Sequence, residues 1–148
     1  MELSLDDLRV LGLEEDITMH HCIQGWSGIA QWGGVSMRKL IEHVKPFPSA
    51  KVVAFHSFGG SLYGDLYYDT QSIYNAMKPE CLLALSMNGE PLPAVYGAPL
   101  RLRVENQLGY KMVKWIERIE FFESEKLIGE GEGGINEDDE YFALLPNI

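Results

Sequence analysis

The run Cys81-Leu82-Leu83-Ala84-Leu85-Ser86-Met87, closed by Asn88-Gly89, constrains the fold more than any other stretch of this chain. It is apolar almost throughout, the pattern of a strand covered on both faces rather than one. Asn-Gly is a strong hairpin signal, because both residues tolerate the positive φ angles that a tight turn needs. A strand of this kind requires packed layers on either side.

Other segments supply candidates for those layers. Lys51 to Ser57, rich in Val and Phe, predicts a second buried strand. Leu100, Leu102 and Val104 alternate with Arg101 and Arg103, which predicts a strand with one charged face. Residues 17–24 read as an extended segment leading into Gly25-Trp26-Ser27-Gly28, and residues 111–122 as another. Ser4 can cap a short helix with Asp6 and Asp7 in its first turn and Gly12 at its end. After Ser36, the residues Met37, Leu40, Ile41 and Val44 fall at helical spacing, and Pro46 and Pro48 stop the helix. Gly59-Gly60-Ser61 opens a connection holding Tyr63, Tyr67 and Tyr68, and Asp69 or Thr70 can cap a short helix through Met77. With no internal repeat or linker, residues 1–148 are expected to form one domain of mixed, sheet-rich α+β class.

Composition excludes some functions. The net charge of −10, from 22 acidic and 12 basic residues, argues against a nucleic-acid partner, which requires a basic face. Much of the acidic excess lies in residues 129–140, whose simplest reading is a solvated, mobile loop. No apolar run reaches membrane-spanning length, and the first residues lack a secretion pattern. The chain as written is therefore expected to be soluble and cytoplasmic, or periplasmic if a longer precursor carries an export signal. Cys22 and Cys81 do not suggest a disulfide scaffold, so a reducing compartment is the simpler expectation.

His20-His21-Cys22 is the stretch richest in reactive side chains. In a strand, His20 and Cys22 would point to one face and His21 to the other, so the three cannot converge on one ion. No second Cys/His pair stands at zinc-like spacing. A cysteine hydrolase with a histidine base remains open, as does a plain core cysteine, which composition alone favours. Cys81, within its apolar strand, is expected to be inert.

The neighbours of Cys22 shift that balance. Cys22-Ile23-Gln24-Gly25-Trp26-Ser27, Trp32, and Val35 to Leu40 resemble the molybdopterin-binding domain of the sulfite oxidase family. Further pieces follow in order: Lys51 to Ser57, Met87-Asn88-Gly89-Glu90-Pro91-Leu92-Pro93, Gly97-Ala98-Pro99-Leu100-Arg101-Leu102, and Gly109 to Ile116. The resemblance covers about residues 2–122. It is closer to the bacterial sulfite-oxidase-like and methionine-sulfoxide-reductase catalytic-subunit type than to true sulfite oxidases.

The resemblance implies a sulfite-oxidase-like fold lacking an N-terminal segment that supplies further pterin contacts, and a molybdenum-molybdopterin cofactor. It makes Cys22 the molybdenum ligand and catalytic residue. It also assigns cofactor contacts to Ser57, Arg101, Met112, Val113 and Lys114. These residue types suit such roles: a thiolate ligates soft or highly oxidised metals, a guanidinium grips phosphate through paired hydrogen bonds, and a lysine adds a point charge. The implied activity is oxygen-atom transfer to or from a small substrate, with electrons exchanged through a redox partner, a haem protein or a membrane subunit. Two positions depart from the pattern. Tyr96 stands where relatives often carry Asn or His, and His21 stands where arginine is common. The alternative reading is a truncated, non-catalytic relative that keeps the fold without binding the cofactor productively.

Overall fold

The structure is a computed structural model that describes residues 1–60, 66–139 and 148. Capping chemistry sets its two longer helices. Ser4 and Asp7 form a reciprocal capping box at the start of α1 (Leu5–Val10). Ser36 accepts from the Lys39 amide to start α2 (Met37–Val44), which buries Met37, Leu40 and Ile41. Lys45, left-handed at φ 50, ends α2 just before Pro46.

Among the described residues, eight strands form two antiparallel sheets. The first holds β1 (Glu14–His21), β2 (Ser27–Ser36), β5 (Cys81–Met87) and β6 (Glu90–Pro91) in that order, with β7 (Arg101–Val104) also paired to β5. The second runs β4 (Leu66–Ser72), β3 (Val52–Gly60), β8 (Ile116–Phe122). Two further single-turn helices are α3 (Ile73–Ala76) and α4 (Ile135–Asp138). On one face of β5, Cys81 and Leu83 join a core with Val35, Met37, Phe55 and Leu102. On the other, Leu82 and Ala84 pack with Ala30, Trp32 and Leu92. Both faces of β5 are therefore covered, as its apolar run requires. Burial pushes the Cys81 thiol well above its ordinary range, which leaves it unreactive.

The structure corrects five expectations. The extended segment at 17–24 ends at His21. Cys22 instead opens a tight loop, its amide donating to the Trp26 carbonyl and the Gly25 amide donating back to the Cys22 carbonyl. Asp69 and Thr70 lie inside β4, and Ser72 caps α3 through the Asn75 amide. Residues 109–111 form a 3-10 turn, and β8 starts only at Ile116, after Trp115 at φ 54. The charged face of β7 is not solvated: Arg101 and Arg103 are 6% and 1% exposed. Nor is the acidic stretch uniformly solvated, because Glu137 is 4% exposed. Tyr63 and Glu140 lie outside the described residues.

Candidate functional site

Ser57 stands at a break in β3. Ser57 pairs with Ile116 while His56 pairs with Arg118, so β8 carries one extra residue there and the local ladder is interrupted. The Ser57 hydroxyl is buried and accepts from the Gly59 amide at 2.9 Å. Gly59 lets the backbone lie on an indole ring, since a Cβ there would sit 3.0 Å from Trp115 Cε3 and 3.3 Å from Ser57 Oγ.

This corner forms one wall of a cavity of about 220 Å3, and the segment 109–115 forms the other. Four of the six residues singled out from sequence, Ser57, Met112, Val113 and Lys114, line it together. Tyr67, Tyr110 and Trp115 complete the lining, so the tyrosine-rich connection does contribute to a pocket, through Tyr67. The Met112 amide is spent on the 3-10 turn, donating to the Gly109 carbonyl at 3.0 Å. The amides of Val113 and Lys114 have no acceptor among the described residues.

Arg101 stands beside the cavity, held there by a glycine. Gly97 has φ 113, and a Cβ on it would lie 2.9 Å from Lys114 Cβ and 3.1 Å from Arg101 Cβ. Only a residue without a side chain lets the stems of both Lys114 and Arg101 pack against the backbone at this point. The Arg101 guanidinium donates to the Tyr96 carbonyl at 2.9 Å and lies 4.8 Å from the centre of the Trp32 ring. Its Nε is buried with no acceptor. Lys114 donates to the Val95 carbonyl at 3.0 Å. Neither cation has a carboxylate partner among the described residues. Burial, and then the charge of Arg103, disfavour the charged form of Arg101. Burial, and then Arg101, do the same for Lys114. Two like charges held half out of water next to free amides make a ready anion site.

Cys22 lies outside the cavity lining, half-buried and unpaired, in the loop between β1 and β2. His20, two residues before it, ties that hairpin to the cavity wall. A Cβ on Gly109 would overlap the His20 ring, and Trp26 lies tilted on the ring's other contact at 5.2 Å. Arg103 places its Nη1 3.0 Å from His20 Nδ1. A guanidinium can only donate, so Nδ1 must accept and the proton of the neutral ring must sit on Nε2. Burial and the charges of Arg103, Arg101, His21 and Lys114 lower the His20 pKa to about 4, which keeps the ring neutral. Arg103 is itself held by Glu105 through two bonds of 2.7 and 2.8 Å and lies 4.3 Å from the Trp32 ring centre. Trp32 is thus flanked by two guanidiniums, while Trp26 is 54% exposed.

Sequence reasoning missed Arg103, His20 and Trp115 as parts of this assembly. The one available signal was glycine: Gly59, Gly97 and Gly109 each mark a point where a ring or a cation approaches the backbone.

Comparison with known proteins bears on this site. Residues 1–127 match the model of the oxidoreductase molybdopterin-binding domain. The catalytic subunit MsrP, a protein-methionine-sulfoxide reductase of Xanthomonas campestris, is 37% identical over 131 residues, covering 82% of this chain and 41% of that protein. The YedZ1 protein of Azospira oryzae is 36% identical over 116 residues, covering 78% of this chain and 42% of its own length. The chain thus spans about two fifths of these relatives. Among solved structures, the sulfane dehydrogenase SoxCD of Paracoccus pantotrophus shares the fold, with a TM-score of 0.71 and 18% identity over 90% of this chain and 36% of that one. The fold is sheet-rich α+β of the sulfite-oxidase-like kind, and the cofactor it implies is molybdenum-molybdopterin. The chain belongs to the oxidoreductase molybdopterin-binding domain family.

Proposed function

We propose that this chain is the cofactor-holding part of a molybdenum-dependent oxidoreductase that moves an oxygen atom to or from a small substrate, with the Cys22 thiolate as the protein's metal ligand. The observation that carries the reading is the convergence of Ser57, Met112, Val113 and Lys114 on one cavity, beside a buried Arg101 whose Nε lacks an acceptor. Ser57, Arg101 and the segment 112–114 come from separate stretches of the sequence, and neither Arg101 nor Lys114 has a carboxylate partner among the described residues.

The residues fit an anionic pterin. Arg101 and Lys114 would hold its phosphate, the amides of Val113 and Lys114 would add donors, and Ser57 would contribute a hydroxyl at the buried end. Glycines at 59, 97 and 109 let Trp115, the two cations and the His20 ring pack directly on the backbone around the cavity. The donor set fits as well. Among the described residues no group of three or more His, Cys, Asp and Glu could hold a metal, so a metal at Cys22 needs its remaining ligands from elsewhere. A pterin dithiolene provides them. When bound, the cofactor supplies a two-electron metal centre through which oxygen passes between water and substrate.

The protein's own part is positioning. The loop closed by the Cys22–Trp26 hydrogen bond fixes the thiolate direction, and the neutral His20, braced by Arg103 and Gly109, fixes the loop against the cavity wall. Relatives named as methionine-sulfoxide reductases make a sulfoxide the substrate class to propose. A haem protein or a membrane subunit would exchange the electrons singly. No helix among the described residues is long and apolar enough to cross a membrane.

The test is reduction of methionine sulfoxide by protein made where cofactor synthesis is intact, with a viologen as artificial electron donor. Wild type should turn over and Cys22→Ser should lose activity by several orders of magnitude. A fully active Cys22→Ser variant would sink the assignment, and inactive wild type loaded with molybdenum would redirect the substrate class.

A further inference from the structure

The match to the family model ends at residue 127, yet the chain continues into α4, which returns to the back of the cavity wall. Within the segment 109–115, every residue except Lys111 lines the cavity. Lys111 turns the other way and is 1% exposed. Its ammonium donates to Asp69 of β4 and, at 2.6 Å, to Glu137 of α4. A second path runs beside the first. Asn136 Nδ2 donates to the Tyr67 hydroxyl at 2.8 Å, and that hydroxyl donates to the Tyr110 carbonyl at 2.7 Å. The backbone closes the arrangement: Gly134 bridges to Asp69, and the Thr70 hydroxyl donates to the Gly133 carbonyl. Gly134 is required by contact, since a Cβ there would lie 2.6 Å from Glu137 Oε2 and 2.8 Å from Asp69 Oδ1.

Both paths start on α4 and end on residues 110 and 111, directly before Met112, Val113 and Lys114. We infer that α4 is a clasp: Glu137 and Asn136 are positioning residues that hold the cofactor-contacting segment 110–114 in place from behind. A 3-10 turn of three residues followed by an irregular stretch has little rigidity of its own. Three buried ionisable groups would be a costly way merely to anchor a short helix, because apolar residues serve that purpose at least as well. Their value lies in direction, since an ammonium held between two carboxyl groups, one of them keeping its proton, fixes the backbone it leaves. This inference rests on the cavity being the cofactor site, but the geometry of the clasp is independent of loading.

The test cuts both paths without stranding a charge. In Glu137→Ala/Asn136→Ala, Asp69 remains as the carboxyl that can ionise against Lys111 once the Glu137 charge is gone, so the buried ammonium keeps a counter-charge. Native-state hydrogen exchange on the full chain, before loading, should show the hydrogen-bonded amides of Lys111, Met112 and Trp115 exchanging about tenfold faster while those of β3 and β5 are unchanged. Pterin bound per chain, after production in a competent host, should fall by about tenfold, as for other residues that orient direct ligands. Glu137→Gln, which keeps an acceptor for Lys111, should recover most of both. Unchanged exchange at these three amides would overturn the clasp. So would acceleration shared equally by β3 and β5, or faster local exchange with pterin content intact. A wild-type chain without pterin would contradict the proposed function instead, and the exchange pattern alone would then decide the clasp.

Discussion

The imidazole of His20 occupies the space that a side chain on Gly109 would need. Through this contact the hairpin that carries Cys22 is seated on the segment that carries Met112, Val113 and Lys114. One part of the site lies in the β1–β2 hairpin and the other in the connection between β7 and β8, and this is where they meet.

Gly109→Ala therefore pushes the His20 ring aside and separates the Cys22 loop from the cavity wall. The expected cost is about 1–3 kcal/mol of stability, as for other overpacked sites. Molybdenum content should fall more steeply than pterin content, because the proposed pterin contacts lie on the segment itself. Urea unfolding and elemental analysis check the two effects separately.

Arg103 is the other support of His20, and it is buried with its charge balanced by Glu105 alone among the described residues. Glu105→Ala leaves a guanidinium out of water without a counter-charge, at an expected cost of about 3–5 kcal/mol. Arg103→Lys should not rescue function in an otherwise native chain. A lysine cannot make the paired bonds to Glu105 while also lying flat on Trp32 and donating to His20. Equilibrium unfolding measures the first effect, and pterin content of the folded variant the second.

Much of this architecture was legible in sequence. The apolar run of β5, the caps at Ser4 and Ser36 and the Asn88-Gly89 turn are local signals, and local chemistry decides them. The order of motifs around Ser57, Arg101 and Lys114 indicated the cavity. What sequence could not show was depth. Arg101 and Arg103 alternate with leucine as a solvated face would, and only the packing of Trp32 against them shows that the face is covered. Glu137 reads as one acid among many, because its partner Lys111 is 26 residues away and Asp69 lies in β4. Cys22 read as part of a strand because the return of the chain at Trp26 depends on pairing between β1 and β2 rather than on local propensity.

The clasp carries a pH dependence. Burial, opposed by Lys111 and reinforced by Glu137, pushes the Asp69 carboxyl from its ordinary 3.8 up to about 8. The groups facing it are Lys111, Glu137, Tyr67, Tyr110 and the Thr70 amide. Between those two values the folded protein keeps a proton that the unfolded chain releases, so stability falls as pH rises through this window. Above about pH 8 two carboxylates face one ammonium, and the clasp should loosen. Urea midpoints measured from about pH 4 to about pH 8 should decline for wild type and flatten for Asp69→Asn. An equal slope in both would remove Asp69 as the cause.

The central claim is that Cys22 is a metal ligand at a cavity that holds a pterin. Its most direct test is the ratio of molybdenum to pterin to chain in protein purified from a host with intact cofactor synthesis, wild type beside Cys22→Ser. The account predicts near-stoichiometric molybdenum and pterin in wild type, and in Cys22→Ser a pterin signal retained through Arg101 and Lys114 with molybdenum depleted or labile. Wild-type protein with neither molybdenum nor pterin, or a Cys22→Ser variant that holds molybdenum as firmly as wild type, would contradict it.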